Sequence, residues 1–388
     1  MADCSLLTRE LLAQLVGFDT TSRNSNLDLV AFIEDYLGRH GIASTRVDHE
    51  AGRKTNLVAT IGPDIAGGTV LSGHTDVVPV DGQDWASEPF MLDERDGRLY
   101  GRGSADMKGF IAVVLAMVPR FVAAGLKRPI HLAFSCDEEV GCLGVRPLIA
   151  HMVKSLPRPA AVIIGEPTSM QVVNAHKAVH TYETEVTGLE AHSSNTHHGV
   201  NAVMVAGDLL AEINRLAAEM RRRGDATGRF DPPFTSVHVG TIEGGTAKNI
   251  VPRRCVFAWE ARFIPGADTD EVPARLEQKA AALEAAMRAV SPDTGIATRR
   301  TVEVPGLRPV EGSEAESLAL TLARSNGTGA VSYGTEGGLF QQAGYPTVVC
   351  GPGSIDQAHK PDEYVEASQL AACEAFMERL ARASCATV

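Results

Sequence analysis

Five short polar clusters could carry chemistry: Ser72-Gly73-His74-Thr75-Asp76, Gly101 to Gly109 with Asp106 inside it, Cys136-Asp137-Glu138-Glu139, Gly165-Glu166, and the loop Gly351 to Pro361 with His359. Each has an ordinary explanation on its own. His74 and Asp76 stand two apart at a strand end and share a face, so Asp76 can take the second ring N–H of a metal-bound imidazole, yet a lone His-x-Asp is more often only structural. Asp106 could cap the helix that follows it, the three acids after Cys136 could be a solvated loop, and Glu166 could be another cap. As a set they mean more. Two imidazoles (His74, His359) and three carboxylates (Asp106, Glu139, Glu166) form a donor mixture suited to zinc or a neighbouring divalent ion. Two divalent cations and one hydroxide neutralise three carboxylates, so the set is balanced for two metals around one activated water. In such sites the ions lie about 3.5–4 Å apart and draw the pKa of bound water down towards ~7. One carboxylate must then bridge, and another must stay free as base.

The glycines around Asp106 also invite a dinucleotide-binding reading. The third glycine of G-x-G-x-x-G would fall at position 106, which is aspartate, so that reading fails.

The elements that must position these clusters follow from periodicity. Leu7, Leu11 and Leu15 form one helical stripe, and Leu27, Val30, Ile33 and Leu37 form a second that Gly41 ends. Strands are expected at 56–61, 69–72, 130–135 and 161–164, nearly all running into a polar cluster at the carboxyl end, where open α/β sheets bind ligands. From about Thr181 the order becomes strand 182–186, helix 202–216, strand 236–242, strand 255–263, helix 270–290 and strand 296–304, the βαββαβ arrangement of ferredoxin-like domains. Residues 219–233, with Arg221 to Arg223 and several glycines and prolines, are expected to be an exposed loop. Past Pro305 the α/β pattern returns, with a capping box Ser313-x-x-Glu316, a strand 345–350 and a final helix. The expected fold is therefore α/β: a mostly parallel central sheet flanked by helices (1–178 and 306–388), interrupted by an inserted ferredoxin-like α+β lid and dimerisation domain (179–305).

Length and composition exclude other classes. A chain of 388 residues holds two or three domains at about 150 residues each. Lys and Arg number 36 against 48 Asp and Glu, a net charge of −12, which argues against nucleic acid as partner. The apolar run 110–118 falls well short of the ~20 residues that span a bilayer, and no basic-then-apolar leader opens the chain. Seven cysteines, scattered and without a C-x-x-C pair, fit a reducing cytoplasm.

At this point the motifs resemble a family of di-metal metallopeptidases that includes acetylornithine deacetylase, succinyl-diaminopimelate desuccinylase, aminoacylase and carboxypeptidase G. The likeness runs over nearly the whole chain. In SGHTDVVP, GRGSADMKG, CDEE, IGEPT and the last loop, it implies His74 and Glu166 on one metal, Glu139 and His359 on the other, Asp106 bridging, Asp76 orienting His74 and Glu138 as general base. It also implies a cis peptide after Asp106. In the inserted domain His192 of AHSS resembles the residue that reaches the partner subunit's active site to steady the oxyanion, while Asn249 of GGTAKNIVP and Arg262 of WEARFIPG resemble substrate-binding positions. Arg262 could equally make an in-strand ion pair with Glu260. Thr335 and Glu336, neighbours in a loop near the proposed site, are expected to bind substrate, with Glu336 meeting its side-chain ammonium. Within the family, GEPTSMQ, AHKA and YGTEGGLFQQAGYPTVVCGPGSIDQAHKPDEYVE are most similar to the acetylornithine-hydrolysing members, although Ala178 and Asn195 to His198 depart from their pattern. The resemblance implies two zinc ions (or cobalt), a small N-acyl amino acid as substrate, a homodimer, and a place in arginine biosynthesis. A metal-binding protein without activity is the rival reading, and Glu138 beside Glu139 argues against it, since a pure metal cage gains nothing from the extra buried charge.

Overall fold

The structure, a computed structural model, describes residues 3–386. By its internal contacts the chain divides into two compact units, one of residues 1–175, 309–329 and 335–388, the other of residues 176–308 and 330–334.

The larger unit is built on an eight-stranded sheet in the order Ser44–His49, Lys54–Ile61, Ile130–Ser135, Thr69–His74, Ala161–Pro167, Thr347–Gly351, Val173–His176, Gly329–Val331. The four central strands are mutually parallel and every residue in them is buried. Apolar runs without alternation, such as Ala161-Val-Ile-Ile, belong in strands covered on both faces. Toward the edges the pairing turns antiparallel. The helix Lys108–Ala123 is apolar nearly all round, and Phe110 to Leu115 are buried without exception. It can lie flat on the sheet only because Gly165 has no side chain: a Cβ there would come 2.1 Å from the Phe110 ring. Gly41, at φ +73, ends the helix Leu27–Arg39 in the left-handed conformation that the sequence assigns it.

The smaller unit has a four-stranded antiparallel sheet in the order Ser236–Gly244, Arg254–Phe263, Ala178–Thr187, Gly295–Val304. Two helices, Ala202–Arg223 and Glu271–Val290, complete the ferredoxin-like order. Alternate residues of Arg254–Phe263 face inward, and Phe257, Trp259 and Phe263 share a core with Leu209, Leu216 and Leu276 from the helices. Ser236–Gly244 is an edge strand.

The sequence pattern misplaces some elements. Residues 219–223 are helix rather than loop: Arg221 to Arg223 fill its last turn, where cations complement the helix dipole, and Arg223 bridges to Glu271 at 2.6 Å. The outer strand Ser44–His49 escapes detection because its exposed side chains give no apolar alternation. Among the described residues no helix is long and apolar enough to cross a membrane, and all seven cysteines are free thiols.

Candidate metal centre

The site is assembled at the carboxyl ends of the parallel strands. Thr69–His74 ends in His74, Ile130–Ser135 runs into the acidic turn 137–139, and Ala161–Pro167 carries Glu166 as its penultimate residue. Asp106 arrives on the glycine-rich turn, and the Asp106–Met107 peptide is cis. The capping alternative for Asp106 does not hold, because the N-cap of Lys108–Ala123 is Met107 and no side chain caps it. Ligands held about 2.0–2.2 Å from one tetrahedral ion lie roughly 3.3–3.5 Å from each other. His74 Nε2 is 3.0 Å from Asp106 Oδ1 and 3.7 Å from Glu166 Oε1. On the other side, His359 Nε2 is 3.1 Å from Glu139 Oε2 and 3.5 Å from Asp106 Oδ2. His74 thus meets Asp106 and Glu166, and His359 meets Asp106 and Glu139, with each oxygen of Asp106 facing one imidazole; Glu138 also offers an oxygen within 4.8 Å of ligand atoms of His74 and Glu166.

Burial and crowding set the electrostatics. Glu138 is pushed well above the usual carboxylate range, by burial first and then by Glu139, Glu336 and Asp106, with His74 opposing. Glu166 and Glu139 rise for the same leading reason. Burial would raise Asp106 too, but its hydrogen bonds with His359 and His74 hold it below that range. Burial disfavours a charged His74, yet Asp106 and Glu166 carry it well above its ordinary value. Hydrogen bonds to Asp106 and Glu139 lift His359 to about 10. A pocket that raises its acids and its imidazoles together is short of positive charge, and two divalent cations fit that donor set.

Three expected residues stand differently from their sequence reading. His74 is oriented by the main chain of Asp76: its Nδ1 lies 2.9 Å from the Asp76 carbonyl oxygen, whereas the carboxylate oxygen is 3.7 Å away. The Asp76 carboxylate instead accepts the Ser22 hydroxyl at 2.7 Å and the backbone N–H groups of Glu138 and Glu139 at 3.1 and 3.3 Å. It thus fixes the acidic turn. Thr335 is fully buried, and its hydroxyl accepts the Gly337 N–H at 2.9 Å, opening the short helix Gly337–Gln342. Glu336, 1 % exposed, accepts hydrogen bonds from the hydroxyls of Ser72 and Ser135 under the site. Contrary to the sequence expectation, neither presents a free group to a substrate ammonium. Burial raises Glu336 to about 7.

The inserted unit holds the other three. The stretches around His192 and Asn249 run side by side, with Ser193 N–H donating to the Asn249 carbonyl at 3.1 Å. His192 Nδ1 is 2.7 Å from Ser194 Oγ. Both lie by the Arg254 end of the strand Arg254–Phe263, where Gly188 and Val251 are tied to Arg253 and Ala191. Arg262 is eight residues along that strand, roughly 26 Å at 3.3 Å per residue. There it takes the in-strand pairing, with its Nε 2.9 Å from Glu260 Oε1. One copy of the chain does not bring these three together.

Two supporting residues escaped the sequence reading. Glu363, buried, accepts from the N–H groups of Gly103, Ala105 and Asp106 at 2.9–3.0 Å and from Arg102 at 2.7 Å. It therefore ties the turn of Asp106 to the loop of His359. Its only signal is its place four residues after His359, in a Pro361-Asp362-Glu363 run that resembles surface turn chemistry. Cys142 points its thiol at Glu138 Oε1, 3.3 Å away, and nothing in its spacing announces that. Glu363→Gln should cost about 1–3 kcal/mol of stability, since an amide cannot accept all four donors and buried ones go unmet. Denaturant melts check this, and an unchanged midpoint would remove the tie.

The sequence profile of peptidase family M20/M25/M40 matches residues 70–383. The chain is 37 % identical to an acetylornithine deacetylase of Myxococcus xanthus over 98 % of both chains. With an acetylornithine deacetylase of Pasteurella multocida (strain Pm70) it is 32 % identical over 92 % of this chain and 91 % of that one. In fold it is similar to an M20 family metallo-carboxypeptidase of Sulfolobus solfataricus, with a TM-score of 0.77 at 17 % identity, covering 97 % and 99 % of the two chains. It is likewise similar to a dinuclear metal-binding peptidase of the M20 family from Bacillus subtilis, with a TM-score of 0.68 at 15 % identity, covering 98 % of each.

Proposed function

The chain belongs to peptidase family M20/M25/M40, and from that premise we propose that it hydrolyses N2-acetyl-L-ornithine to L-ornithine and acetate. The observation that carries the chemistry is Asp106 reaching both imidazoles, and the curated relatives carry the choice of substrate. The assignments are His74, Glu166 and Asp106 to one divalent ion, and His359, Glu139 and Asp106 to the other, with zinc as the natural occupant and cobalt as a substitute. When bound, such a pair supplies Lewis acidity and a water of lowered pKa. Glu138 does the proton work: its carboxylate accepts the proton of the attacking water and returns it to the leaving amine. Asp76 holds the turn that aims it.

His192 is assigned to the oxyanion, and Asn249 and Arg262 to the substrate carboxylate, for which the planar guanidinium fork is suited. The separation of Arg262 from His192 and Asn249 along one strand supports a homodimer in which each site draws on both copies, and the exposed edge strand Ser236–Gly244 could carry the contact. The same reading puts the enzyme in the cytoplasm, in arginine biosynthesis. His192→Ala should lower kcat on the order of 10²–10³-fold with little change in KM, and mixing it with an inactive Glu138 variant should restore part of the activity by forming heterodimers. No recovery on mixing would count against the crossed role. The substrate is tested by a panel of acetylornithine, acetylcitrulline, acetylmethionine and succinyl-diaminopimelate with added zinc or cobalt. A higher kcat/KM for any of the other three would replace acetylornithine, and no hydrolysis at all would return the rival reading of an inactive metal-binding protein.

A further inference from the structure

Four of the five proposed ligands are enclosed and held by contacts already described. The side chains of His74, Asp106, Glu139 and Glu166 are between 1 % and 8 % exposed. His74 and Glu166 stand on strands, the N–H of Asp106 is tied to Glu363, and that of Glu139 to Asp76. His359 differs from them. Its side chain is 53 % exposed, it belongs to a loop, and its main chain is left-handed at φ +62, a conformation that residues with a Cβ seldom adopt. Such a ligand serves an ion well only if the loop is already in place, since ordering it on binding would cost conformational entropy.

Among the described residues a single hydrogen bond reaches the main chain of His359: Gln83 Nε2 donates to its carbonyl oxygen at 3.0 Å. The other end of the amide settles its direction. Gln83 Oε1 accepts from Arg102 Nη2 at 2.6 Å and from Trp85 Nε1 at 3.1 Å. Guanidinium and indole nitrogens only donate, so the amide oxygen must face them and the amide N–H must face His359. Arg102 is fully buried, with its guanidinium carbon 5.1 Å from the centre of the Trp85 ring, and donates through Nη1 to Glu363 at 2.7 Å. Glu363 in turn accepts the Asp106 N–H at 3.0 Å. A chain of hydrogen bonds therefore joins the main chain of Asp106 to that of His359 through Glu363, Arg102 and Gln83, and both ends carry ligands assigned to one ion.

We propose that Gln83 is a positioning residue for the ion assigned to His359, Glu139 and Asp106, its amide N–H fixing the loop that presents His359. This role rests on the two-metal reading above and not on the choice of substrate. The ion assigned to His74 and Glu166 does not lean on this bond.

Titrating metal-free protein with zinc in competition with a chromophoric chelator resolves the two binding steps. Gln83→Ala should weaken one step by about 10–100-fold, the usual cost of losing an outer partner of a ligand, and leave the other unchanged. At limiting zinc its kcat should fall with KM unaltered, and excess zinc should restore it. Gln83→Glu separates positioning from simple bracing of the loop. It keeps the size of the side chain and an oxygen for Arg102 and Trp85, but it has no N–H for the His359 carbonyl, so it should weaken the same step as Gln83→Ala. A Gln83→Glu variant with wild-type affinity at both steps would overturn the proposal, and so would unchanged affinities in Gln83→Ala. Wild-type protein that takes up only one zinc ion would overturn the two-metal reading, and this role with it.

Discussion

Glu138→Gln is expected to lower kcat on the order of 10³-fold, with metal content and fold unchanged. General acid–base groups contribute typically 10²–10⁴-fold, and here one carboxyl is asked both to take a proton from water and to deliver it to the amine. Glutamine fills the same space and can still sit against the Cys142 thiol, but it cannot hold that proton. The ligand sets proposed through Asp106 leave Glu138 out, although its carboxylate lies near His74 and Glu166, so two equivalents of metal should remain. Steady-state kinetics together with elemental analysis decide it: a variant with near wild-type kcat would refute the base assignment. Loss of metal along with activity would instead make Glu138 a ligand.

Stripping the divalent ions should lower the melting temperature, and by more at pH 8 than at pH 6. The sign follows from linkage. Glu138, Glu139, Glu166 and Glu336 all titrate higher in the folded protein than in the unfolded chain, where glutamate titrates near 4.3. Above that value the unfolded chain has released protons that the folded site still holds, so stability falls as pH rises. His74 and His359 act in the same direction: their contribution is complete below about 6.5 and is lost as pH climbs through the folded value, which for His359 is about 10. Asp106, lowered, contributes throughout this window and loses its share only in acid. Metal-free protein should therefore weaken steadily from pH 5 to 8. At a fixed zinc concentration equal to a thousand times the dissociation constant at pH 8, each ion adds about 4 kcal/mol there, on the order of 5–10 °C for a chain of this size, and less at pH 6, where protons compete for the ligands. Thermal melts of chelated and zinc-restored protein at pH 6, 7 and 8 measure the gap, and a gap that stays constant or narrows with pH would contradict the electrostatic account.

The same buried groups show where reading a sequence works. The proposed metal ligands are legible because such chemistry needs particular side chains at strand ends, and both strand ends and donor types are written locally: His74 after Thr69–Ser72, Glu166 after Ala161–Ile164. The inserted domain was legible for a related reason, since a switch from continuous apolar runs to alternation marks a sheet exposed on one face. The roles of Asp76, Thr335, Glu336 and Glu363 were not legible. Each is a polar residue whose partner lies far off in the chain or on the backbone, and hydrogen bonds leave no periodic trace in composition.

What the sequence by itself determined was the inventory: α/β class, an insertion near residue 180, and two imidazoles with three carboxylates. Only the tertiary structure decided that Asp106 offers one oxygen to each imidazole, that the Asp76 carboxylate braces the acidic turn while its carbonyl aims His74, and that Glu336 is buried against the hydroxyls of Ser72 and Ser135. The reason is physical. Residue type fixes which bonds a group can make, but a buried donor or acceptor takes whichever partner the packed fold places within about 3 Å.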